Sequence, residues 1–162
     1  MQEKAFKNVK DQIGYCGLWC GSCVVGNGTL RELTKRYEHL IKGYGIDEWG
    51  AKGFDAEEFR KGLKAIQEIP ICKGCLKGGG NNRCSVRPCA SKKRLSDCGE
   101  CGRLGGCKYT NELNKVRRGA QAVGMLIKER KGNGRELKNM WSLEILDRFP
   151  NCVINRSRGK ND

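Results

Sequence analysis

Eleven cysteines in a chain of 162 residues constrain this polypeptide more than any other feature. Ten of them fall in two groups. Cys16, Cys20 and Cys23 form CGLWCGSC near the start, and Cys72, Cys75, Cys84, Cys89, Cys98, Cys101 and Cys107 follow after a helical stretch. Three pairs are separated by two residues: Cys20 with Cys23, Cys72 with Cys75, and Cys98 with Cys101. That spacing bends the backbone into a knuckle that presents two sulfurs to one metal ion. A glycine inside each knuckle, Gly21, Gly74 and Gly99, is expected to ease the dihedrals of the bend. One such pair is a weak signal. Three, with four more cysteines clustered about them, are a strong one.

The remaining residues explain why ligation matters to folding. A domain of this length can bury ~70% of its chain surface, but the apolar supply is thin. Leu, Ile, Val and Phe together make up 33 of the 162 residues, about 20%, at the edge where charged chains stay unfolded. The net charge of +14 opposes compaction through self-repulsion. Disulfides are the other use of so many cysteines. The N-terminus, however, carries no apolar run of signal-peptide length, and an odd number leaves one thiol unpaired. The expectation is a cytoplasmic chain in a reducing compartment, where thiols bind metal rather than each other. No stretch approaches the ~20 apolar residues of a membrane span.

Four amphipathic helices can be read around the cysteine-rich stretches. The first covers about Thr29 to Lys42, with Leu30, Leu33, Tyr37, Leu40 and Ile41 on a face expected to pack in the core. The second starts after Asp55, an N-cap with Glu58 three residues on, presents Phe59, Leu63, Ile66 and Ile69, and stops at Pro70. The third spans about Asn111 to Lys131, with Leu113, Val116, Ala120, Val123 and Ile127 in register. The fourth opens at Asn133 and carries Leu137, Met140, Trp141 and Ile145. Between Ile71 and Lys108 no regular period is found. Such a stretch argues against a compact domain unless metal replaces the missing core. The fold class expected is mainly α, a small α+β arrangement being the alternative, with helices around irregular metal-binding loops. Residues 1–154 form one domain in this reading, and 155–162 a disordered basic tail.

Zinc fits the donor set best, because it takes four thiolates in a tetrahedral shell and such closed sites are usually structural. The single histidine, His39, lies on the first helix away from the clusters, so the sites are expected to be all sulfur. Ten ligands make two four-cysteine sites with two to spare, or three sites with sharing. A grouping in chain order would put Cys72, Cys75, Cys84 and Cys89 on one ion. It would leave Cys98, Cys101 and Cys107 to take a fourth ligand from the N-terminal group. An iron–sulfur redox carrier is the rival for the same cysteines. The spacing from Cys16 to Cys23 is that of radical S-adenosylmethionine enzymes, but the barrel they require has no room in the 139 residues that follow. The compact ferredoxin run is absent.

The order of these motifs resembles a prokaryotic cysteine-rich family known as a domain of unknown function (domain of unknown function 3795). Its members open with Tyr-Cys-Gly-Leu-x-Cys-x-x-Cys, here Tyr15 to Cys23, and continue with Cys-x-Gly-Cys, here Cys72 to Cys75. Cys84 to Ala90 (CSVRPCA) matches their Arg-containing element, and Cys98 to Cys101 (CGEC), followed by Cys107, their last motif. The match covers roughly residues 13–110. Members often carry one more cysteine before the Arg-containing element, where this chain has Asn81, Asn82 and Arg83, and a proline where it has Gly106. The resemblance implies zinc binding at the ten cysteines and supplies no reaction.

From Cys72 to Lys108 nine basic residues face only two acids, Asp97 and Glu100. One reading of this excess is a phosphate-binding nucleic-acid surface. The other is neutralisation of thiolate centres, each a net −2 charge when four thiolates hold one zinc. The stretch has no Phe or Trp, and no Tyr before Tyr109, so it lacks the rings on which single-strand binders stack bases. No catalytic set is recognisable: there is no P-loop, no dinucleotide fingerprint and no HExxH. Cys152, near Arg148 and Arg156, is the one isolated thiol. The sequence therefore points to a non-enzymatic structural or interaction module with an unidentified protein partner.

Overall fold

The computed structural model describes residues 2–50 and 52–148. The protein is mainly helical: α1 (Gln2–Val9), α2 (Thr29–Gly43), α3 (Ile46–Trp49), α4 (Ala56–Glu68), α5 (Val86–Lys92), α6 (Thr110–Ala122) and α7 (Gly134–Arg148). Among the described residues, strand pairing is confined to two isolated antiparallel bridges, Ile13 with Trp19 and Leu18 with Ile127. The end of the 1–154 domain, the 155–162 tail and Cys152 lie outside the described residues.

Three helices form where their punctuation says they should. Asp55 caps α4 by accepting from the amides of Glu57 (3.0 Å) and Glu58 (2.9 Å). Asn133 does the same for α7, accepting from Arg135 N at 3.0 Å while its own amide donates to Glu136. Helix α2 ends at the glycine expected to stop it, with Tyr44 N bonded to Leu40 O. The third expected helix is shorter than its apolar period. Helix α6 ends at Ala122, because Gly124 at φ +75° lets Met125 N turn back to Ala120 O. Residues 126–128 then run extended beside the N-terminal hairpin. A helix also lies inside the stretch read as irregular. Helix α5 places Val86, Cys89, Ala90 and Lys93 on one face, with Pro88 in its first turn, where a missing amide costs little.

The apolar faces are less buried than their periodicity suggests. Helices α2 and α4 pack together, with Tyr37 edge-on to Phe59 at 5.9 Å. Yet Leu33, Tyr37 and Leu40 stay about half exposed, as do Val116 and Met140 on α6 and α7. The core instead gathers around the N-terminal cysteine motif: Ile13, Trp19, Trp141 and Ile145, with Phe6, Leu126 and Leu137 against them. Trp19 is fully buried, meets Trp141 at 5.8 Å, and donates its indole N–H to Lys10 O. The largest side chain of the core thus lies next to a cysteine of the first knuckle.

Candidate metal centre

Residues Ile13 to Trp19 form a tight hairpin closed by Gly14 N to Leu18 O and Gly17 N to Gly14 O, both 2.8 Å. Cys16 is at its tip. Gly17 is at φ +91°, and a Cβ there would run into the Lys128 carbonyl. The tip therefore requires glycine, both for the turn and for the approach of residues 126–128. Those residues are bonded through Lys128 N to Gly17 O (2.8 Å) and Trp19 N to Leu126 O (2.9 Å).

Each of the three knuckles docks on this hairpin. The first begins in its second arm, where Cys20 N bonds Gln12 O and Cys23 N closes on Cys20 O at 3.2 Å. The second is held by Gln12, whose buried amide donates to Lys73 O (2.9 Å) and Asn8 O (2.7 Å). A Cβ on Gly14 would stand 3.2 Å from the Cys75 Cβ, so hairpin and knuckle touch. The third is fixed by Cys98 N to Tyr15 O at 2.7 Å. Its Asp97 Oδ2 accepts from the buried Lys128 ammonium at 2.7 Å, and Glu100 pairs with the same ammonium.

The knuckle glycines differ in role. Gly74, at φ +84°, has the conformational need expected of it. Gly21 and Gly99 do not. They are small because a Cβ would stand 2.5 Å from the Trp19 ring in one case and 2.7 Å from Asp97 Oδ1 in the other. Close packing, not dihedral freedom, selects glycine there.

All ten described cysteines are free thiols of intermediate exposure. Cys72 Sγ accepts from Gly74 N (3.4 Å) and Gly80 N (3.2 Å). Burial pushes the Cys20 thiol up to about 11, against the Cys75 amide, which favours the thiolate; the Cys75, Cys23 and Cys72 thiols around it push the same way as burial. Cys98 is also held at about 11 by burial and by Cys107, with Arg117 opposing. Burial raises Cys16, whose thiol neighbours include Cys75 and Cys84. Cys101 is lowered by the Arg103 backbone and by Lys93, whose ammonium lies 3.7 Å from its sulfur. His39 is exposed on α2, apart from these thiols.

Between α5 and the third knuckle lies a cavity of about 20 Å3, walled by Cys89, Cys98, Cys101 and Cys107 with Val86, Ala90 and Leu113. That is room for one water-sized particle. Among the described residues no three Cys, His, Asp or Glu side chains stand close enough together to hold a metal ion. The donor set nevertheless fits zinc in its chemistry: unbridged thiols, amides aimed at sulfur, and cations nearby. Cys72 and Cys75 lie beside Cys20, while Cys89 faces the third knuckle across the cavity. Gln12, Trp19 and Lys128 act through contacts across long stretches of chain, which leave little trace in the local sequence. Lys128 alone had a clue, in the two acids that break a run of nine bases.

The fold and site together define a cysteine-rich, mainly helical protein organised around three thiol-bearing knuckles. The model of a family described as "Protein of unknown function (DUF3795)" matches residues 12–112, and the chain belongs to that family. No curated protein and no solved structure matches it. Among the described residues, no helix is long and apolar enough to cross a membrane.

Proposed function

We propose that this chain is a cysteine-ligated zinc protein in which two metal centres knit distant segments into one structural or interaction module. The observation that carries the reading is that four cysteines, from α5, the third knuckle and the turn after it, line one cavity of about 20 Å3. A structural role follows from the donors, because a site closed by four thiolates leaves no open position for substrate. Thiols kept free for a metal need a reducing compartment, so we place the protein in the cytoplasm. Elemental analysis with native mass spectrometry, on protein purified without air, is expected to give two zinc ions per chain and a colourless solution. A brown protein containing iron would replace this reading with an iron–sulfur carrier. A folded chain free of metal would end both.

One observation favours nucleic acid as a partner. Asp97 and Glu100 are both engaged by Lys128, whereas Lys73, Arg83, Lys92, Arg94 and Arg103 are exposed. The acids therefore do little to offset the surface charge of segment 72–108. Filter binding of duplex DNA across a salt series is expected to give sequence-independent affinity that falls linearly in log–log form. Affinity indifferent to salt rules out the phosphate mechanism.

A further inference from the structure

We propose that the two centres take their ligands out of chain order, Cys20, Cys23, Cys72 and Cys75 holding one ion and Cys89, Cys98, Cys101 and Cys107 the other, with Cys16 and Cys84 outside both. This assignment rests on the zinc reading above and goes beyond it by naming each ligand set. The first set is brought together by Gln12, whose carbonyl holds Cys20 N while its amide holds Lys73 O between Cys72 and Cys75. Cys20 has Cys75, Cys23 and Cys72 as its thiol neighbours and faces the Cys75 amide. The second set surrounds the small cavity from two sides. Cys98, Cys101 and Cys107 come from the third knuckle and the turn after it, and Cys89 from the face of α5 shared with Val86, Ala90 and Lys93.

The same placement sets the other two apart, Cys16 and Cys84 being neighbours of each other. Cys84 precedes α5 and is not in the cavity wall, so its spacing from Cys89 does not make them partners. Cys16 sits at the hairpin tip with its carbonyl fixed by Arg117 Nε at 3.0 Å. Its thiol neighbours come from both sets and from Cys84, so it belongs wholly to neither. The arrangement ties the N-terminal knuckle to residues 72–75 and α5 to residues 98–107.

Thiol alkylation of the intact protein, read by peptide mass spectrometry, tests the assignment. All ten thiols have intermediate exposure, but burial also raises Cys16, Cys20 and Cys98, so labelling is weighed together with the ion counts of the alanine variants. Cys16 and Cys84 are expected to be labelled while the eight ligands stay protected. Removing one of the two ions with a limiting amount of chelator should unmask one set of four together. Cys16→Ala and Cys84→Ala should each retain both ions, whereas Cys89→Ala should lose one of two. Protection of Cys16 or Cys84 in the loaded protein, or release of a mixed set of four, overturns the assignment and leaves the zinc reading standing. Native protein without metal, with all ten thiols labelled alike, overturns the zinc reading and the assignment with it.

Discussion

On the zinc reading proposed above, stripping the metal with a strong chelator is expected to unfold the protein, and returning zinc to refold it. The argument is one of magnitude. Folded domains are stable by only about 5–15 kcal/mol. A structural zinc site contributes a comparable amount on its own, about 10–16 kcal/mol in small peptides, because no such site exists in the unfolded chain. Here the hydrophobic contribution is small. The principal cluster has four buried residues, and large apolar side chains such as Leu33, Leu40, Val116 and Met140 remain exposed. Residues 72–107 contribute little to that core and are joined to the rest by hydrogen bonds such as Gln12 to Lys73 O. Trp19 reports the event, since it is fully buried one residue from Cys20. Its emission is expected to shift to the red and the near-ultraviolet dichroism to collapse on chelation, with the α2–α4 pair retaining some helix. Acid should have the same effect. Burial holds the Cys20 and Cys98 thiols near 11, so binding must displace their protons. Affinity therefore rises with pH and is lost as pH falls. A chelated protein whose Trp19 emission and melting curve match those of the loaded one would refute the argument.

What the sequence reveals and what it hides divide along the range of the interactions. Helices α2, α4 and α7 were legible because their signals are local: Gly43 and Gly45, Asp55 with Pro70, and Asn133 with Glu136. The cysteine knuckles were legible for the same reason. Helix α6 was read too long because Val123 and Ile127 continue its period, although Gly124 ends it and Ile127 pairs with Leu18 across the molecule. That pairing, like Arg117 to the Cys16 carbonyl, joins residues about a hundred positions apart and leaves no periodic trace. Helix α5 was missed because it is short and its face is built from Val86, Cys89 and Ala90, in which the cysteine reads as a ligand rather than as part of an apolar stripe. The exposed faces of α2 and α6 expose the limit of periodicity. It locates a helix but does not say how much of its apolar side is covered.

Replacing Lys128 with Met, metal in place, should cost about 3–5 kcal/mol, the usual penalty for stranding one partner of a buried ion pair. Lys128 is 4% exposed and Asp97 is 2% exposed. The ammonium donates to Asp97 Oδ2 at 2.7 Å and also to Glu100, the acid inside the third knuckle. Burial works against the Lys128 charge, but the two carboxylates outweigh it and keep its pKa above the ordinary lysine value. The native pair therefore persists through neutral pH; its contribution is lost as pH rises past the lysine range and, at the acid end, as Glu100, which Lys128 holds below the ordinary carboxylate range, takes a proton. Methionine fills the stem and leaves Asp97 without a counter-charge, its other oxygen still bound to Gly99 N at 2.8 Å. For a chain of this size the loss at neutral pH is a fall in Tm of roughly 6–20 °C. Adding Asp97→Asn to Lys128→Met should return part of it, because the remaining buried group is then neutral, and the double-mutant cycle should give a coupling of about 1–3 kcal/mol. A Lys128→Met protein that melts within a degree of the native one at neutral pH would mean that the pair does not clamp the third knuckle to residues 126–128. The third knuckle would then be held by other contacts, such as Cys98 N to Tyr15 O.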